Sequence, residues 1–200
     1  MNKGMNLEYL FPRKDGIDYS KLKVTEEGLY SITKRKDAQQ FMKIIQSEIP
    51  NLKHMTVTDA TACIGGDTLN FAKYVEHVYS IEMNKTNFSA LKNNVQVYGY
   101  KNITLYNKDS VKFFNWKTDV LFVDAPWGGP SYKSEHQLDL FLSNTRLDTW
   151  IQKILKRKNR PSYILLKLPA NYNFQRLKDL DGTTKVHLHP IRSYVIVLIQ

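Results

Sequence analysis

From residue 56 the sequence alternates short apolar runs with stretches of helical periodicity, and nothing else in the chain constrains the fold as strongly. "MTVTDA" (55–60) predicts a strand, Gly65-Gly66 a turn and "DTLNFAKYV" (67–75) a helix. "HVYSIE" (77–82) predicts a second strand, and Asn84 then caps a helix with Phe88, Leu91, Val95 and Tyr98 on one face, closed by Gly99. "NITLYN" (102–107) is a third strand. "DVLFVDA" (119–125), a fourth, is apolar almost throughout, as in a parallel strand covered on both faces. A helix with Leu147, Ile151, Ile154 and Leu155 inward leads to a fifth strand, "SYILLKLP" (162–169). "TKVHLHPIRSYVIVLIQ" (184–200) reads as two antiparallel strands broken at His189–Pro190. The expectation is an α/β, doubly wound, seven-stranded and mostly parallel sheet with helices on both faces.

Ahead of it, residues 1–30 are mixed and weakly periodic, an arm with a short helix. Residues 36–50 carry Ala38, Phe41, Met42, Ile45 and Ile49 on one helical face, with Asp37 and Gln40 in the spacing of a capping box and Pro50 as the stop. The predicted division is 1–50 as arm and helical extension, and 51–200 as the main domain. A chain of 200 residues is long enough for that domain and its own core. No apolar stretch reaches the ~18 residues of a membrane span, and "MNKGMNLEYLFPRKDG" has no apolar leader core. With one cysteine, Cys63, no internal disulfide forms, and an intracellular protein of nucleus or cytoplasm is expected, a monomer of cellular or viral source. A net charge of +10 favours a polyanionic partner.

In doubly wound sheets ligands bind beyond the carboxyl ends of the strands. Asp59 ends the first predicted strand before the glycine pair, Glu82 ends the second, and Asp109 follows the third. The glycines lack the G-x-G-x-x-G pattern and no Walker lysine is present, so a pyrophosphate cradle is not indicated. An acid able to accept from both ribose hydroxyls, and another able to accept from an adenine amine, suit an adenosine cofactor without pyrophosphate: S-adenosylmethionine, leaving as S-adenosylhomocysteine.

The fourth strand runs into "DAPWGGPSY" (124–132). An exocyclic amine of a nucleobase is a poor nucleophile because its lone pair is delocalised into the ring. Two acceptors, the Asp124 carboxylate and the Ala125 or Pro126 carbonyl, can hold its hydrogens and turn the lone pair toward a methyl donor. Placement in line then contributes most of the acceleration. Pro126 stiffens the loop, and Trp127 offers a stacking face worth ~1–3 kcal/mol per base.

These segments resemble the trimethylguanosine synthase family, which methylates N2 of 7-methylguanosine RNA caps. "APWGGPSY" is similar to its P-P-W-G-G-P-x-Y signature, "EEGLYSITKRKDA" to E-G-W-F-S-V-T-P-E-x-I-A, "DATACIGGDTLNFA" to D-A-F-C-G-V-G-G-N-T-I-Q-F-A, and "LKNNVQVYGYKNI" to A-R-N-N-A-x-V-Y-G-I. The resemblance runs in order over about residues 26–175. It implies a Rossmann-like S-adenosylmethionine-dependent methyltransferase, with Asp124, Pro126 and Trp127 as the catalytic set. Trp127 would stack on the cationic base with a cation–π contribution. The implied cofactor residues are Thr33, Asp59, Ala60, Gly65, Glu82, Met83, Asp109 and Ser110; the substrate residues are Ser31, Trp127 and Tyr132; the partner is 7-methylguanosine-capped RNA. Cys63 stands where the family has glycine, Asp124-Ala125 where it has Ser-Pro or Asp-Pro, Lys34-Arg35 where it has Pro-Glu, and Leu29-Tyr30 where it has Trp-Phe.

Two basic clusters, Lys34-Arg35-Lys36 and residues 153–160, are candidate phosphate contacts or solvated helix ends. His187 and His189 share a strand face, but with no acid or cysteine at matching spacing no metal is expected. Two other readings stay open: an N-methyltransferase acting on an internal RNA base or on adenine in DNA, and a cap-binding module without catalysis.

Overall fold

The computed structural model describes residues 6–200; the first five residues of the arm, and of the segment read for a leader, lie outside it. In chain order the elements are α1 (Glu26–Ser31), α2 (Arg35–Glu48), β1 (Thr56–Asp59), α3 (Gly66–Ala72), β2 (His77–Ile81), α4 (Lys85–Tyr98), β3 (Ile103–Tyr106), α5 (Ser110–Phe113), β4 (Val120–Val123), β5 (Phe141–Leu142), β6 (Thr145–Arg146), α6 (Leu147–Leu155), β7 (Tyr163–Pro169), α7 (Gln175–Lys178), β8 (Val186–Ile191) and β9 (Tyr194–Ile199).

The seven-stranded sheet has the order β3-β2-β1-β4-β7-β9-β8. Strands β3, β2, β1, β4 and β7 are parallel, and β9 alone runs against both its neighbours. The order reverses between β1 and β4, so the crevice of the switch point opens where Asp59 and Asp124 leave the sheet. Every β4 residue is fully buried, because one core cluster covers one face of the sheet and a second covers the other. The first is built around Trp150, Ile151 and Ile154 of α6. The second is built around Phe41 and Ile45 of α2, with Phe71 of α3, and the rings of Phe41, Phe71 and Phe122 meet there at 5.1–5.7 Å. A two-stranded β5–β6 ribbon precedes α6 and was not foreseen, since two-residue strands carry no periodicity.

Three local expectations are corrected. The α2 helix begins at Arg35 after Lys34, with no side-chain cap, so Asp37 and Gln40 form no capping box. Thr33, just upstream, spends its hydroxyl on Asp67 instead, at 2.9 Å. The last hairpin turns at Arg192-Ser193, with Arg192 at φ 51°, and Pro190 pairs within β8 opposite Val195. An edge strand tolerates a proline because the missing N–H faces outward. The buried face of α4 is Asn87, Ala90, Leu91, Asn94 and Tyr98, with Phe88 and Val95 only half-buried.

Those two asparagines dock the arm. Asn94 accepts from the Lys23 N–H at 2.8 Å and donates to the carbonyls of Lys23 and Ile64, both at 2.9 Å. Asn87 accepts from the Thr25 hydroxyl at 2.7 Å and donates to Glu27 at 2.8 Å. Thr25 itself caps α1 through the Gly28 N–H. Leu7, Phe11 and Leu22 of the arm are buried with Ile64, Leu69 and Tyr98 in a third cluster.

Candidate active site

The β1–α3 loop must turn sharply to start a helix under the arm. Gly65 sits at φ 96°, in the left-handed region, and a Cβ there would meet Leu91 Cδ1 at 2.7 Å. Gly66 lies so close to the arm that a Cβ would fall 2.6 Å from Ile32 Cγ1. Cys63 also takes a positive φ, 47°, the conformation its glycine counterpart would hold freely. The loop therefore keeps a glycine-like path, at a cost of ~1–2 kcal/mol for a non-glycine residue. Burial pushes the Cys63 thiol up to about 12, so it is no nucleophile at neutral pH. Its nearest polar neighbour is the Ser31 hydroxyl at 3.6 Å.

Around this loop the expected cofactor residues occupy distinct situations. Glu82 is buried and accepts from the Cys63 N–H at 2.8 Å and the Asn84 N–H at 2.6 Å, one on each oxygen. Burial raises its pKa against those two donors. Glu82 thus ties the loop after β1 to the start of α4 and still has lone pairs to offer. Met83 beside it is 58% exposed, an apolar platform at the edge of the sheet. Asp109 caps α5 through the Val111 N–H at 3.0 Å, Ser110 is buried, and Asn107 donates to the Glu82 carbonyl at 2.7 Å. Ala60 is buried and bonds the Phe122 carbonyl.

Asp59 is fully buried, and its carboxylate accepts from the Thr68 hydroxyl at 2.6 Å and the Thr61 N–H at 3.2 Å. Burial lifts its pKa to about 7. It braces the turn from beneath. Asp67 takes the Thr33 hydroxyl on one oxygen, while the other is sealed from solvent without a partner. Burial raises it to about 6, although Lys167 pulls it down.

At the end of β4 the Asp124 N–H donates to Thr61 Oγ1 at 2.7 Å, and Asp124 Oδ2 lies 2.7 Å from Lys167 Nζ. Lys167 comes from the middle of β7 and is buried. Burial works against its charge, but Asp124 and Asp67 outweigh that and hold it above the usual lysine range. Burial likewise raises Asp124. Lys167 also stands 5.3 Å from the Trp127 ring and 5.3 Å from the Tyr194 ring. Ala125 is buried and Pro126 exposed. The Trp127 ring is half-buried, packs against both large core clusters, and meets the Tyr132 ring edge-on at 5.0 Å. Its indole N–H is sealed from solvent and faces the Asp124 carboxylate, working against the rise in that group's pKa. Trp127 is therefore partly a core residue, and one cation already stands over its ring.

Sequence reasoning missed Lys167, Asp67, Thr61 and the arm-binding asparagines. A lysine inside "ILLKLP" was the available signal, since a charge in an apolar strand needs a partner. Of the two basic clusters, Lys34-Arg35-Lys36 follows directly on Thr33 at the start of α2, with Lys34 and Lys36 exposed. Arg35 donates to the Phe11 carbonyl at 3.0 Å and serves the arm. Residues 153–160 connect α6 to the start of β7, at the edge of the sheet opposite the Trp127 loop, with Arg157 and Arg160 donating to the carbonyls of Phe114 and Gly182.

A sheet of this order, with acids at successive strand ends and an Asp-Ala-Pro-Trp loop at the switch point, defines a Rossmann-like methyltransferase. Its solved likenesses include the Thermus thermophilus 16S rRNA N2 G1207 methyltransferase in complex with AdoMet and guanosine (TM-score 0.65, 12% identity, 89% of this chain and 43% of that one). The sequence model of the RNA cap guanine-N2 methyltransferases matches residues 54–199, and the chain belongs to that family. It is 30% identical to "Uncharacterized protein L320" of Acanthamoeba polyphaga mimivirus, over 96% of this chain and 84% of that protein. It is 29% identical to the trimethylguanosine synthase of Schizosaccharomyces pombe, over 94% and 76%. No helix among the described residues is long and apolar enough to cross a membrane.

Proposed function

We propose that this chain transfers a methyl group from S-adenosylmethionine to N2 of 7-methylguanosine at the cap of an RNA. The observation that carries the reading is the Asp124–Trp127 loop, held at the switch point by Thr61 and Lys167 and flanked by Glu82 and Met83. The residues present fit the cofactor: Glu82 has lone pairs for ribose hydroxyls, Met83 an exposed apolar side chain for adenine, and Asp67 an unpartnered oxygen beside the arm. When bound, the cofactor supplies an electrophilic methyl on a sulfonium.

The chain's own part is placement. The Asp124 carboxylate and the Ala125 or Pro126 carbonyl accept the two amine hydrogens and present the nitrogen lone pair. Lys167 pairs with Asp124 and fixes it as a hydrogen-bond acceptor, which suits a reaction that rests on placement and needs no proton removal beforehand. Once methylated, the amine nitrogen would release its proton to water, with the Lys167-paired Asp124 remaining an acceptor throughout. Trp127 offers its ring as a stacking wall for the base. Ser31 and Thr33, on the arm over the β1–α3 loop, and Tyr132, against Trp127, would complete the pocket.

One observation favours a second substrate. Lys167 beside the Trp127 ring disfavours a second cation there, which would suit an uncharged base in RNA. Labelled S-adenosylmethionine with 7-methylguanosine diphosphate, GDP and uncapped RNA separates the two. Label on the first alone supports the cap reading, and label on uncapped RNA overturns it in favour of the second. Cap binding without label on any substrate leaves a binding module. Trp127→Ala is expected to abolish transfer with cofactor affinity retained; equal loss of both would make the indole purely structural.

A further inference from the structure

The two histidines on the edge strand acquire in the fold what the sequence spacing did not supply. His187 and His189 alternate onto the same face of β8, and α2 packs across that face with its last residue, Glu48, 139 positions away in sequence from His187. His187 Nδ1 lies 3.0 Å from Glu48 Oε2, and His189 Nε2 lies 3.6 Å from Glu48 Oε1. All three side chains can direct one ligand atom to a common point, these atoms lying within 4.8 Å of one another. His189 Nε2 is sealed from solvent and has no hydrogen-bond partner.

We propose that Glu48, His187 and His189 form a divalent metal site, with zinc the fitting ion. Zn²⁺ binds imidazole nitrogen and carboxylate oxygen at ~2.0–2.2 Å in a tetrahedron, which spaces neighbouring ligand atoms about 3.3 Å apart. Each histidine nitrogen stands beside a different Glu48 oxygen, at 3.0 and 3.6 Å, and one ligand atom from each of the three side chains lies within 4.8 Å of the others, so small side-chain rotations would close the set around an ion. A proton shared between His187 and Glu48 would satisfy those two groups but leave the buried His189 nitrogen unpaired; a metal satisfies all three. Nitrogen and oxygen donors without sulfur suit zinc better than calcium or magnesium, which take oxygen alone. The side chains are 24–28% exposed, so the cluster lies near the surface although His189 Nε2 itself is covered.

The site lies away from the methyl-transfer edge, and its effect is mechanical. It fastens the end of α2 to the outer strand of the sheet, and the other end of α2 follows directly on Thr33 and the arm. Metal held by the folded chain alone adds its binding free energy to folding.

The test uses the full chain without a histidine tag, stripped by chelator and titrated with Zn²⁺ by calorimetry and with Co²⁺ by visible absorption. The expected result is one equivalent bound with a four-coordinate cobalt spectrum and a rise in Tm. The His187→Ala/His189→Ala double variant should weaken binding by more than about 100-fold, beyond the loss typical of an outer-shell partner. Cys63→Ser should bind as the wild type does. Failure of the wild type to bind one equivalent, or undiminished binding by the double variant, overturns the site.

Discussion

Lys167 Nζ stands 2.7 Å from Asp124 Oδ2, and both groups are enclosed beneath the Trp127 loop. A charge pair of this kind contributes less by its attraction than its breakage costs, because removing one partner strands the other. Lys167→Met is therefore expected to destabilise the chain by about 3–5 kcal/mol in denaturant melts, with transfer lost. The double variant Lys167→Met/Asp124→Asn, which leaves only Asp67 without its cation, should recover part of the stability and none of the activity. A double variant as unstable as the single would mean that the lysine acts through packing on Trp127 and Tyr194.

Cys63 offers a sharper test of backbone geometry. At φ 47° the position accepts glycine without strain, tolerates an unbranched residue and excludes a β-branched one. Cys63→Gly should change stability by less than about 1 kcal/mol, strain relief offsetting lost burial, while Cys63→Val should cost more than about 2 kcal/mol. Thermal melts of the two variants beside the wild type decide it, and equal effects would contradict the geometry. Since the Cys63 N–H holds Glu82, the valine variant should also weaken cofactor affinity.

How much of this was legible beforehand depended on whether a feature was local. The seven strands follow from apolar runs and turn residues, so "DVLFVDA" could be read as a doubly covered strand with no structure in hand. Asn84 and Gly99, which act on their own helix, were equally readable. What resisted reading was the identity of partners distant in sequence. Asn94 looks like a polar residue on a helix until the arm brings the backbone of Lys23 to it. Glu48 and His187 are 139 residues apart. Asp59 was expected to hold a ligand and faces Thr68, because its carboxylate points back under the turn.

Asp59 makes the stability of the chain depend on pH in a definite sense. Its folded pKa, about 7, lies above the ordinary aspartate value, so the native state holds this proton longer than the unfolded state does. Unfolding then releases a proton between about pH 4 and pH 7, and stability falls as pH rises through that window, by at most about 1.4 kcal/mol per pH unit. Asp67, lifted to about 6, acts in the same direction. The expected outcome is that the Tm of Asp59→Asn relative to wild type climbs from pH 5 to pH 7.5. A difference that stays flat would place the carboxylate in contact with water.

The arm and the cofactor loop meet at Gly66 and Ile32, where a Cβ on the glycine would come within 2.6 Å of Ile32 Cγ1. The atom it meets is next to the branch of a β-branched side chain, whose χ1 is stiff, so the arm must lift rather than adjust. Gly66→Ala is expected to raise the rate of proteolysis in residues 23–34 and to weaken S-adenosylmethionine binding, with the sheet intact by circular dichroism. Shortening the opposing side chain removes the clash, so Gly66→Ala/Ile32→Ala should regain protection of the arm relative to Gly66→Ala alone, although Ile32→Ala by itself loses packing. Recovery in the double variant identifies a steric contact. Its failure would mean that alanine disturbs the helix start itself, and the arm would then be a passive neighbour of the loop rather than its lid.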